Sequence, residues 1–227
     1  TAALILIAKK AYSEFEKSQL EIIKTVSNQA SAALENIYLY KELESVFIQT
    51  ISALSSAIEA KDVYTRGHSE GVVIHSLKLA EVLNLNEEKK ETIRIAGLLH
   101  DIGKIGIGEG ILTKPGPLSS EERTLINTHP LIGANIIKTV KMLKPVVNII
   151  LSHHEWHNGK GYPKGLKGKE ICMEAKILAI ADAFDAMTSK RAYRDALSFK
   201  EAVKRIKEGA GTQFDPKLAK EFVKVIK

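Results

Sequence analysis

The sequence predicts an all-α fold for residues 46–227, and three observations support this prediction. Apolar residues recur there at spacings of three and four over helix-length stretches, and no segment alternates convincingly between apolar and polar residues as a half-buried strand would. Two segments rich in Gly and Pro, 105–118 and 158–168, interrupt the helical stretches and are typical of long structured loops. The final stretches, 199–209 and 216–227, have a helical pattern that is polar on one face.

Residues 1–66 contain neither Gly nor Pro. Residues 2–8 form an apolar run that predicts a short buried strand, and Ser13 with Glu16 matches the capping-box pattern of a helix start. An apolar stripe at helical spacing follows: Leu20, Ile23, Val26, Ala30, Ala33, Ile37, Phe47, Ile51, Leu54 and Ile58. The stripe fits one long helix, or two helices end to end, with a dimer seam. Two ordinary core helices with a kink near Tyr40 fit it equally well.

The composition is that of an ordinary globular protein. Of the 227 residues, 44% are hydrophobic and 26% are charged, which excludes collagen-like, low-complexity and fully disordered chains. The longest apolar run, residues 2–8, is far shorter than the ~20 residues of a membrane-spanning helix. The single cysteine, Cys172, cannot form an intramolecular disulfide and fits a small buried side chain better than a nucleophile. Because an initiator Met and a signal-peptide pattern are also lacking, we expect a cytoplasmic fragment of a longer protein.

The formal net charge is +6, from 33 basic and 27 acidic residues. This balance favours an acidic partner such as a nucleotide, a nucleic acid or an anionic membrane surface, although a solvated lysine-rich surface explains it as well. The sequence has no recognition-helix pattern and no interleaving of aromatic and basic residues. We therefore expect neither a nucleic-acid partner nor a membrane contact for this chain.

Histidines and aspartates near helix ends or in a buried helix are the candidates for chemistry. They are His68, His100, Asp101, His129, His153, His154 and Asp182. Imidazole and carboxylate ligands without thiolates suit iron, manganese or zinc, and argue against a structural zinc site built from cysteines. Any one of these histidines alone is more typical of a core or surface position. Two dyads and a buried Asp together favour a metal site, although their spacing leaves open whether they converge.

Several motifs follow one another in a specific order. They are Asp62-Val-Tyr-Thr-Arg-Gly-His-Ser69, His100-Asp-Ile-Gly-Lys-Ile-Gly106, Leu112-Thr-Lys-Pro-Gly-Pro-Leu118, Thr128-His-Pro130, His153-His-Glu155, Gly159-Lys-Gly-Tyr-Pro163, residues 180–189, and Arg191 to Arg194. With these motifs the chain resembles the HD-GYP family, a branch of the HD superfamily of metal-dependent phosphohydrolases, over roughly residues 46–227. The resemblance implies an HD-superfamily helical bundle. Residues 1–45 resemble, over a shorter match, the closing strand and helix of a GAF sensor domain followed by a linker helix.

The resemblance also implies a binuclear metal centre. One divalent ion would be held by His68, His100, Asp101 and Asp182, and a second by Asp101, His129, His153 and His154. Iron or manganese is the expected metal, with zinc, nickel or magnesium as alternatives. The implied reaction is hydrolysis of cyclic di-GMP to linear pGpG, and more slowly to GMP, by a hydroxide that bridges the two ions.

The same resemblance gives roles to residues beyond the metal ligands. Lys104 would stabilise a phosphate oxygen, and Asp185 would orient a metal-bound water or a ligand. Arg191 and Arg194 would contact phosphate or guanine, and Tyr162 would stack on a base. Each has an ordinary alternative: a plain exposed lysine, surface salt bridges for the arginines, and loop packing for the tyrosine. The Gly-Tyr-Pro loop is also associated in this family with contacts to diguanylate cyclases.

Two positions depart from the family pattern. Some members hold a third metal with a Glu four residues before the first His, where this chain has Tyr64, so we expect two metals and accumulation of pGpG. The chain also has His157 within a Trp-His-Asn segment where Arg-Trp-Asp is common. We interpret His157 as a loop residue. We interpret His75, two turns after His68, as a packing or supporting residue.

Two alternatives to cyclic di-GMP hydrolysis remain open. The domain could hydrolyse another cyclic dinucleotide, because metal chemistry is indifferent to the base, or it could be a receptor or cyclase-binding module without turnover. The complete ligand set together with Lys104 favours the enzyme. If the upstream part is a sensor, the helical stretch would transmit its state, and we expect a homodimer through residues 47–58.

Overall fold

The computed structural model of this chain describes three stretches: residues 15–61, 67–189 and 196–226. Within them the regular structure is entirely helical, which confirms the all-α prediction. Two isolated bridge pairs, Asn158 with Lys167 and Ala210 with Phe214, are the only β-type pairing in these stretches. No helix in the described ranges combines the length and apolar character needed to cross a bilayer. The expected strand at 2–8 and the capping residue Ser13 lie outside the described residues, as does the part of the GAF-like segment 1–45 that precedes residue 15.

The described helices follow one another with short connections. They are α1 (Lys17–Lys61), α2 (His68–Val82), α3 (Glu87–Leu99), a 3-10 helix (Ile102–Gly106), α4 (Glu109–Leu112), α5 (Ser120–Ile126), α6 (His129–Ile137), a 3-10 helix (Lys141–Leu143), α7 (Lys144–Ser152), a 3-10 helix (Gly168–Glu170), α8 (Met173–Thr188), α9 (Phe199–Glu208) and α10 (Pro216–Val225). The chain divides into two compact units, residues 1–50 and residues 51–227. All the candidate chemical residues belong to the second unit.

Helix α1 is uninterrupted, so the described residues do not adopt two helices with a break near Tyr40. Its upstream part exposes large apolar side chains: Ile37 is 53% exposed and Tyr40 is 75% exposed. Further along the helix, Ile51 and Ile58 are buried. Two apolar side chains of the expected dimer seam at residues 47–58 are thus buried within one copy of the chain, whereas Leu54 of the same stretch is 49% exposed.

Helices α2, α3, α8, α9 and α10 enclose a hydrophobic core of the second unit. Its large buried side chains include Leu79, Ile93, Ile177, Ile180, Phe184, Ile206 and Phe222. On α8 the core residues are three and four positions apart, so that one helix face packs inward. Each such side chain stabilises the fold by roughly 1.5–3 kcal/mol relative to an exposed position. This packing holds α8 against α2.

Short polar side chains begin several helices. Asn86 accepts the backbone N–H of Lys89 at 3.0 Å at the start of α3, and Ser119 and Glu122 form a reciprocal capping box at the start of α5. A cap of this kind contributes about 1 kcal/mol. The N-cap residue of α2 is instead Gly67, which has no side chain that could accept a hydrogen bond.

The two Gly- and Pro-rich segments differ in the structure. Residues 105–118 include the short helix α4, which the sequence pattern did not predict. Residues 158–168 form a loop that the Asn158–Lys167 bridge closes, and its Tyr162–Pro163 peptide bond is cis. The backbone N–H of Tyr162 donates to the carbonyl of His154 at 3.1 Å, which brings this loop to the end of α7.

The 3-10 helix after α3 packs closely on α6. A Cβ atom at Gly103 would overlap the backbone carbonyl of His129 and would lie 2.6 Å from the backbone nitrogen of Gly133. No larger residue fits at this position without displacement of the backbone. The contact brings the segment that follows His100 next to the first residue of α6.

Candidate metal centre

Six of the seven candidate ligands lie at helix ends. His68 and His129 each begin a helix. The pairs His100-Asp101 and His153-His154 each follow the last residue of a helix. Asp182 is the exception, because it lies inside α8. After α3, His100 keeps helical backbone angles and Asp101 is the residue at which the chain leaves the helix. Residues at helix ends can place side chains from several helices at one point.

The candidate ligands converge into two clusters. The first cluster consists of His68, His100 and Asp101, whose ligand atoms lie within 4.8 Å of one another. The second cluster consists of His129, His153 and His154, and meets the same limit. Five of these six side chains are at most 15% exposed, and His154 is 24% exposed. The convergence that the sequence left open is therefore present in the structure.

Asp101, a member of the first cluster, also faces the second. One carboxylate oxygen is 3.4 Å from Nε2 of His100, and the other is 3.4 Å from Nε2 of His129. The ammonium nitrogen of Lys104, one turn further along the 3-10 helix, is 2.8 Å from the oxygen that faces His100. One side chain thus reaches both groups of histidines and pairs with a cation as well.

His68 is held by two carboxylates of α8. Oδ2 of Asp185 is 2.7 Å from Nδ1 of His68, and Oδ1 of Asp182 is 3.1 Å from its Nε2. The second oxygen of Asp182 is 3.9 Å from Nδ1 of His154, so this carboxylate also extends from the first cluster to the second. The contact with Asp185 fixes the ring of His68 with Nε2 directed at Asp182.

Three further histidines are oriented by backbone carbonyls of their own helical turns. In each, Nδ1 lies at 2.6–2.8 Å from the carbonyl oxygen three residues earlier: Gly97 for His100, Ile126 for His129 and Ile150 for His153. A ring that donates through Nδ1 has an acceptor lone pair on Nε2. All three Nε2 atoms are therefore available as metal ligands.

Burial keeps the histidines of the second cluster neutral. It lowers the pKa of His129 and, further, that of His153, and it lowers the pKa of His154 to about 3. Burial alone would raise the pKa of the Asp101 carboxyl, but the ammonium of Lys104 and the neighbouring imidazoles hold that pKa well below its usual value. Neutral imidazoles next to an ionised carboxylate form a ligand set that is ready for a cation.

His68 has a different protonation state in the absence of a metal. Burial lowers its pKa, but the hydrogen bonds with Asp182 and Asp185 outweigh burial and raise the pKa to about 10. The same contact with His68 lowers the pKa of Asp182 even though burial opposes this. A cation at Nε2 of His68 would replace the proton that these carboxylates stabilise.

Two observations show that these residues fit metal ions. Among the described residues, none forms a hydrogen bond with the buried Nε2 of His100. The Nε2 atoms of His129 and His153 are 3.4 Å apart, and because both rings donate through Nδ1, two lone pairs face each other. A buried acceptor without a donor is costly, and a cation beside each cluster would satisfy all three nitrogens. The set of imidazoles and carboxylates suits divalent iron, manganese or zinc.

Comparison with known proteins identifies the family. A sequence-family model with the description "HD domain" matches residues 52–218, well over half of the chain. This chain belongs to the HD domain family. The Gly-Tyr-Pro segment at 161–163 and the relatives described next place it in the HD-GYP branch.

Relatives of this HD domain include phosphodiesterases of cyclic dinucleotides. A cyclic di-GMP phosphodiesterase of Thermotoga maritima is 37% identical over 190 residues, which are 83% of this chain and 52% of the relative. The 3'3'-cGAMP-specific phosphodiesterase 3 of Vibrio cholerae is 34% identical over 175 residues, which are 77% of this chain and 38% of the relative. Among solved structures, an HDG"Y"P protein from Bdellovibrio bacteriovorus is 25% identical with a TM-score of 0.57, and the match covers 70% of this chain and 51% of that one. This chain therefore spans about half, or less, of the length of these relatives.

The structure of the HD domain brings the seven expected metal ligands together and places two of the expected substrate contacts beside them. Lys104 pairs with Asp101. The ring of Tyr162 is 4.8 Å from that of His154, measured between ring centroids, and burial raises the pKa of its phenol, so the phenol is neutral. Tyr64, Arg191 and Arg194, to which the family resemblance gave roles or expectations, lie outside the described stretches.

Two histidines of the HD domain do not join the clusters. The ring of His75 lies 5.1 Å from that of Phe184, and its Nε2 is 3.8 Å from Asp185. His157 lies in the loop after α7, with Nδ1 3.8 Å from Asp215. These positions are those expected of a supporting residue and a loop residue.

Glu155 organises the Gly-Tyr-Pro loop, and motif analysis assigned it no role. Its carboxylate is buried and accepts the backbone N–H groups of Lys164 at 2.7 Å and Leu166 at 2.9 Å. Gly161 lies against the same turn, because a Cβ there would overlap the backbone nitrogen of Trp156. Glu155 thus holds the loop that carries Tyr162 against the end of α7. A charged residue directly after the pair His153-His154 was the available sequence signal.

We predict that Glu155→Gln loosens this loop. A glutamine amide keeps one acceptor oxygen but presents an N–H₂ group to the second backbone N–H, which leaves a buried donor without a partner at a cost of roughly 1–3 kcal/mol. Hydrogen exchange at the amides of Lys164 and Leu166 should accelerate at least tenfold. Glu170→Gln is the matched control, because Glu170 accepts only the N–H of Lys167 in the same loop. Unchanged exchange at Lys164 and Leu166 in Glu155→Gln would contradict this role.

Proposed function

We propose that this HD domain is the catalytic part of a metal-dependent phosphodiesterase that hydrolyses cyclic di-GMP to linear pGpG. The observation that carries the proposal is Asp101, whose two carboxylate oxygens face the two histidine clusters at equal distances of 3.4 Å. The first cluster with Asp182 would hold one divalent ion, and the second cluster with Asp101 would hold the other. The expected metals are iron or manganese, with zinc, nickel or magnesium as alternatives.

The negative charge of three aspartates at this site explains why cations are required. The carboxylates of Asp101, Asp182 and Asp185 would repel the phosphates of a cyclic dinucleotide if they were not neutralised. When bound, two divalent ions would lower the pKa of a water molecule toward neutrality and neutralise the negative charge that develops on phosphorus. The reaction adds one water across one phosphodiester bond, so that a new P–O bond forms as the bond to the 3′ oxygen breaks.

The protein's own side chains orient the ligands and the substrate. Asp185 holds the ring of His68, a role that fits the expectation that it orients a ligand of the site. The ammonium of Lys104 is adjacent to Asp101 and can donate to a non-bridging phosphate oxygen. Tyr162, next to His154, can offer its ring face to a purine base. Contacts of Arg191 and Arg194 with phosphate or guanine remain predictions from the motif.

The choice of cyclic di-GMP rests on the motifs and on the relatives that carry this activity in their names. A 3'3'-cGAMP substrate is the second candidate, because relatives of similar identity are named for that nucleotide. A receptor without turnover is the alternative outside enzymology. Contacts of the loop at 159–163 with a diguanylate cyclase, and a cytoplasmic location, also remain part of this proposal.

We predict that protein purified without oxygen carries about two metals per chain and converts cyclic di-GMP mainly to pGpG. Asp101→Asn should lose metal and turnover together, because a neutral amide cannot serve two cations. Lys104→Ala should retain both metals and lower kcat roughly 10²–10³-fold, because a donor to the developing charge is lost. Metal content is counted by mass spectrometry, and products are separated by chromatography.

The exposed Lys204, on α9, provides the control: Lys204→Ala removes the same charge and should leave kcat unchanged. Full metal loading without hydrolysis of cyclic di-GMP or 3'3'-cGAMP would contradict the enzyme and favour the receptor. Retained turnover in Asp101→Asn at matched metal content would contradict the bridging role of Asp101.

We further propose that α1 pairs with α1 of a second copy through its upstream part. The apolar stripe there repeats at spacings of three and four, the pattern of a two-stranded coiled coil. Leu20, Val26 and Ile37 are each about half exposed in a single copy. A helix face of this kind gains stability when an identical face covers it, and the regular spacing matches another α1.

We predict that Ile37→Glu converts this dimer into a monomer, because two buried carboxylates would face each other across the seam. Sedimentation velocity at concentrations well above micromolar measures the change. Glu35→Gln, a change at an exposed position of the same helix, should leave the dimer intact. A monomeric wild-type protein under these conditions would contradict the proposal.

A further inference from the structure

The N-cap residue of α2 provides no side-chain cap, although the first residue of this helix is the metal-ligand candidate His68. Gly67 is the N-cap residue and adopts a φ of 76°, in the left-handed region that favours glycine. The first N–H groups of a helix have no partner within the helix, and a side chain at the N-cap position usually accepts one of them. Here the acceptor has to come from elsewhere in the chain.

Glu59, in the last turn of α1, supplies this acceptor. Its Oε2 accepts the backbone N–H of Gly67 at 2.7 Å, and its Oε1 accepts the backbone N–H of Ser69 at 2.8 Å. The two amides flank His68, so one carboxylate fixes the backbone on both sides of that residue. The imidazole ring of His68 is itself fixed by Asp182 and Asp185. A displacement of Glu59 would therefore shift the backbone of His68 relative to its two carboxylate partners.

Lys61, two residues further along α1, forms hydrogen bonds with the chain segment that follows His100 and Asp101. Its ammonium donates to the carbonyls of Ile105 at 3.0 Å and Ile107 at 2.9 Å. These carbonyls end the 3-10 helix that follows Asp101 and carries Lys104. The last turn of α1 is thus bonded to both chain segments that contribute to the first cluster.

Among the described residues, the packing around Glu59 leaves open space. A cleft of about 350 Å³ adjoins this residue, with Ser52, Ser55, Ser56 and Glu70 in its lining. Glu59 is only half-buried. Its position consequently depends on the two hydrogen bonds and on the placement of α1.

We propose that Glu59 is a positioning residue for the metal site formed by His68, His100 and Asp101, and that Lys61 assists it from the other side. The placement of the last turn of α1 then sets the affinity of this site, and Glu59 acts through His68, which belongs to the first site alone. The inference deepens the proposed function and rests on it for the presence of metal ions. The bonding partners of both side chains are backbone groups, which leave no motif in the sequence.

The test measures Co²⁺ binding to the full chain by equilibrium titration, with absorbance and dialysis as readouts. Two sites are expected in the wild-type protein. In Glu59→Gln one acceptor oxygen becomes a donor. We therefore expect the Co²⁺ affinity of one site to fall at least tenfold, a loss that is typical when the support of a metal ligand is removed. The affinity of the other site should be unchanged. A His153→Ala background, which disables the second cluster, identifies the weakened site as the first. Lys61→Met should weaken the same site.

Glu70→Gln is the matched control, since Glu70 is an exposed acid in the first turn of the same helix α2. It should leave both affinities unchanged. Equal Co²⁺ affinities in Glu59→Gln and the wild type would overturn the inference, and so would an equal loss at both sites. Wild-type protein with fewer than two Co²⁺ sites would overturn it together with the proposed function. Two sites without hydrolysis would contradict the proposed function alone, because this titration needs no turnover.

Discussion

The carboxylate of Asp101, whose two oxygens face the two groups of histidines, is the interaction on which the rest of the site depends. An ionised group in such a place is costly unless cations and donors surround it. Lys104 supplies one positive charge, and the Nε2 lone pairs of His100 and His129 on either side define where others would be bound. Because His100, His129 and His153 are oriented through Nδ1 by backbone carbonyls, the fold itself prepares these three acceptors.

Helix ends make this arrangement possible. Each helix can direct a side chain past its last turn, and close backbone contacts bring the ends together, as at Gly103 against His129. Carboxylates then fix the connecting segments: Glu155 holds the loop of Tyr162, and Glu59 holds the start of α2. The hydrophobic core packs α8 against α2, and this packing positions Asp182 and Asp185 next to His68.

The sequence was most informative where chemistry and periodicity coincide. The His–Asp and His–His pairs after apolar stretches predicted ligands at helix ends, and the resemblance to a family indicated how they group. Spacing alone could not establish the convergence, because it depends on contacts between residues far apart in the chain. Long-range hydrogen bonds to backbone groups, such as those of Glu59 and Glu155, leave no periodic pattern at all. The burial of Ile51 and Ile58 was likewise missed, because a coiled-coil stripe and a core-facing stripe have the same spacing.

The most direct test of the central claim is the position of metal ions in crystals of the chain grown with Mn²⁺. Anomalous difference maps should contain two peaks, one at the cluster of His68, His100 and Asp101 and one at the cluster of His129, His153 and His154. Both peaks should contact the carboxylate of Asp101. A single peak, or two peaks of which one lies out of reach of Asp101, would contradict the account of a shared carboxylate at the centre of the site.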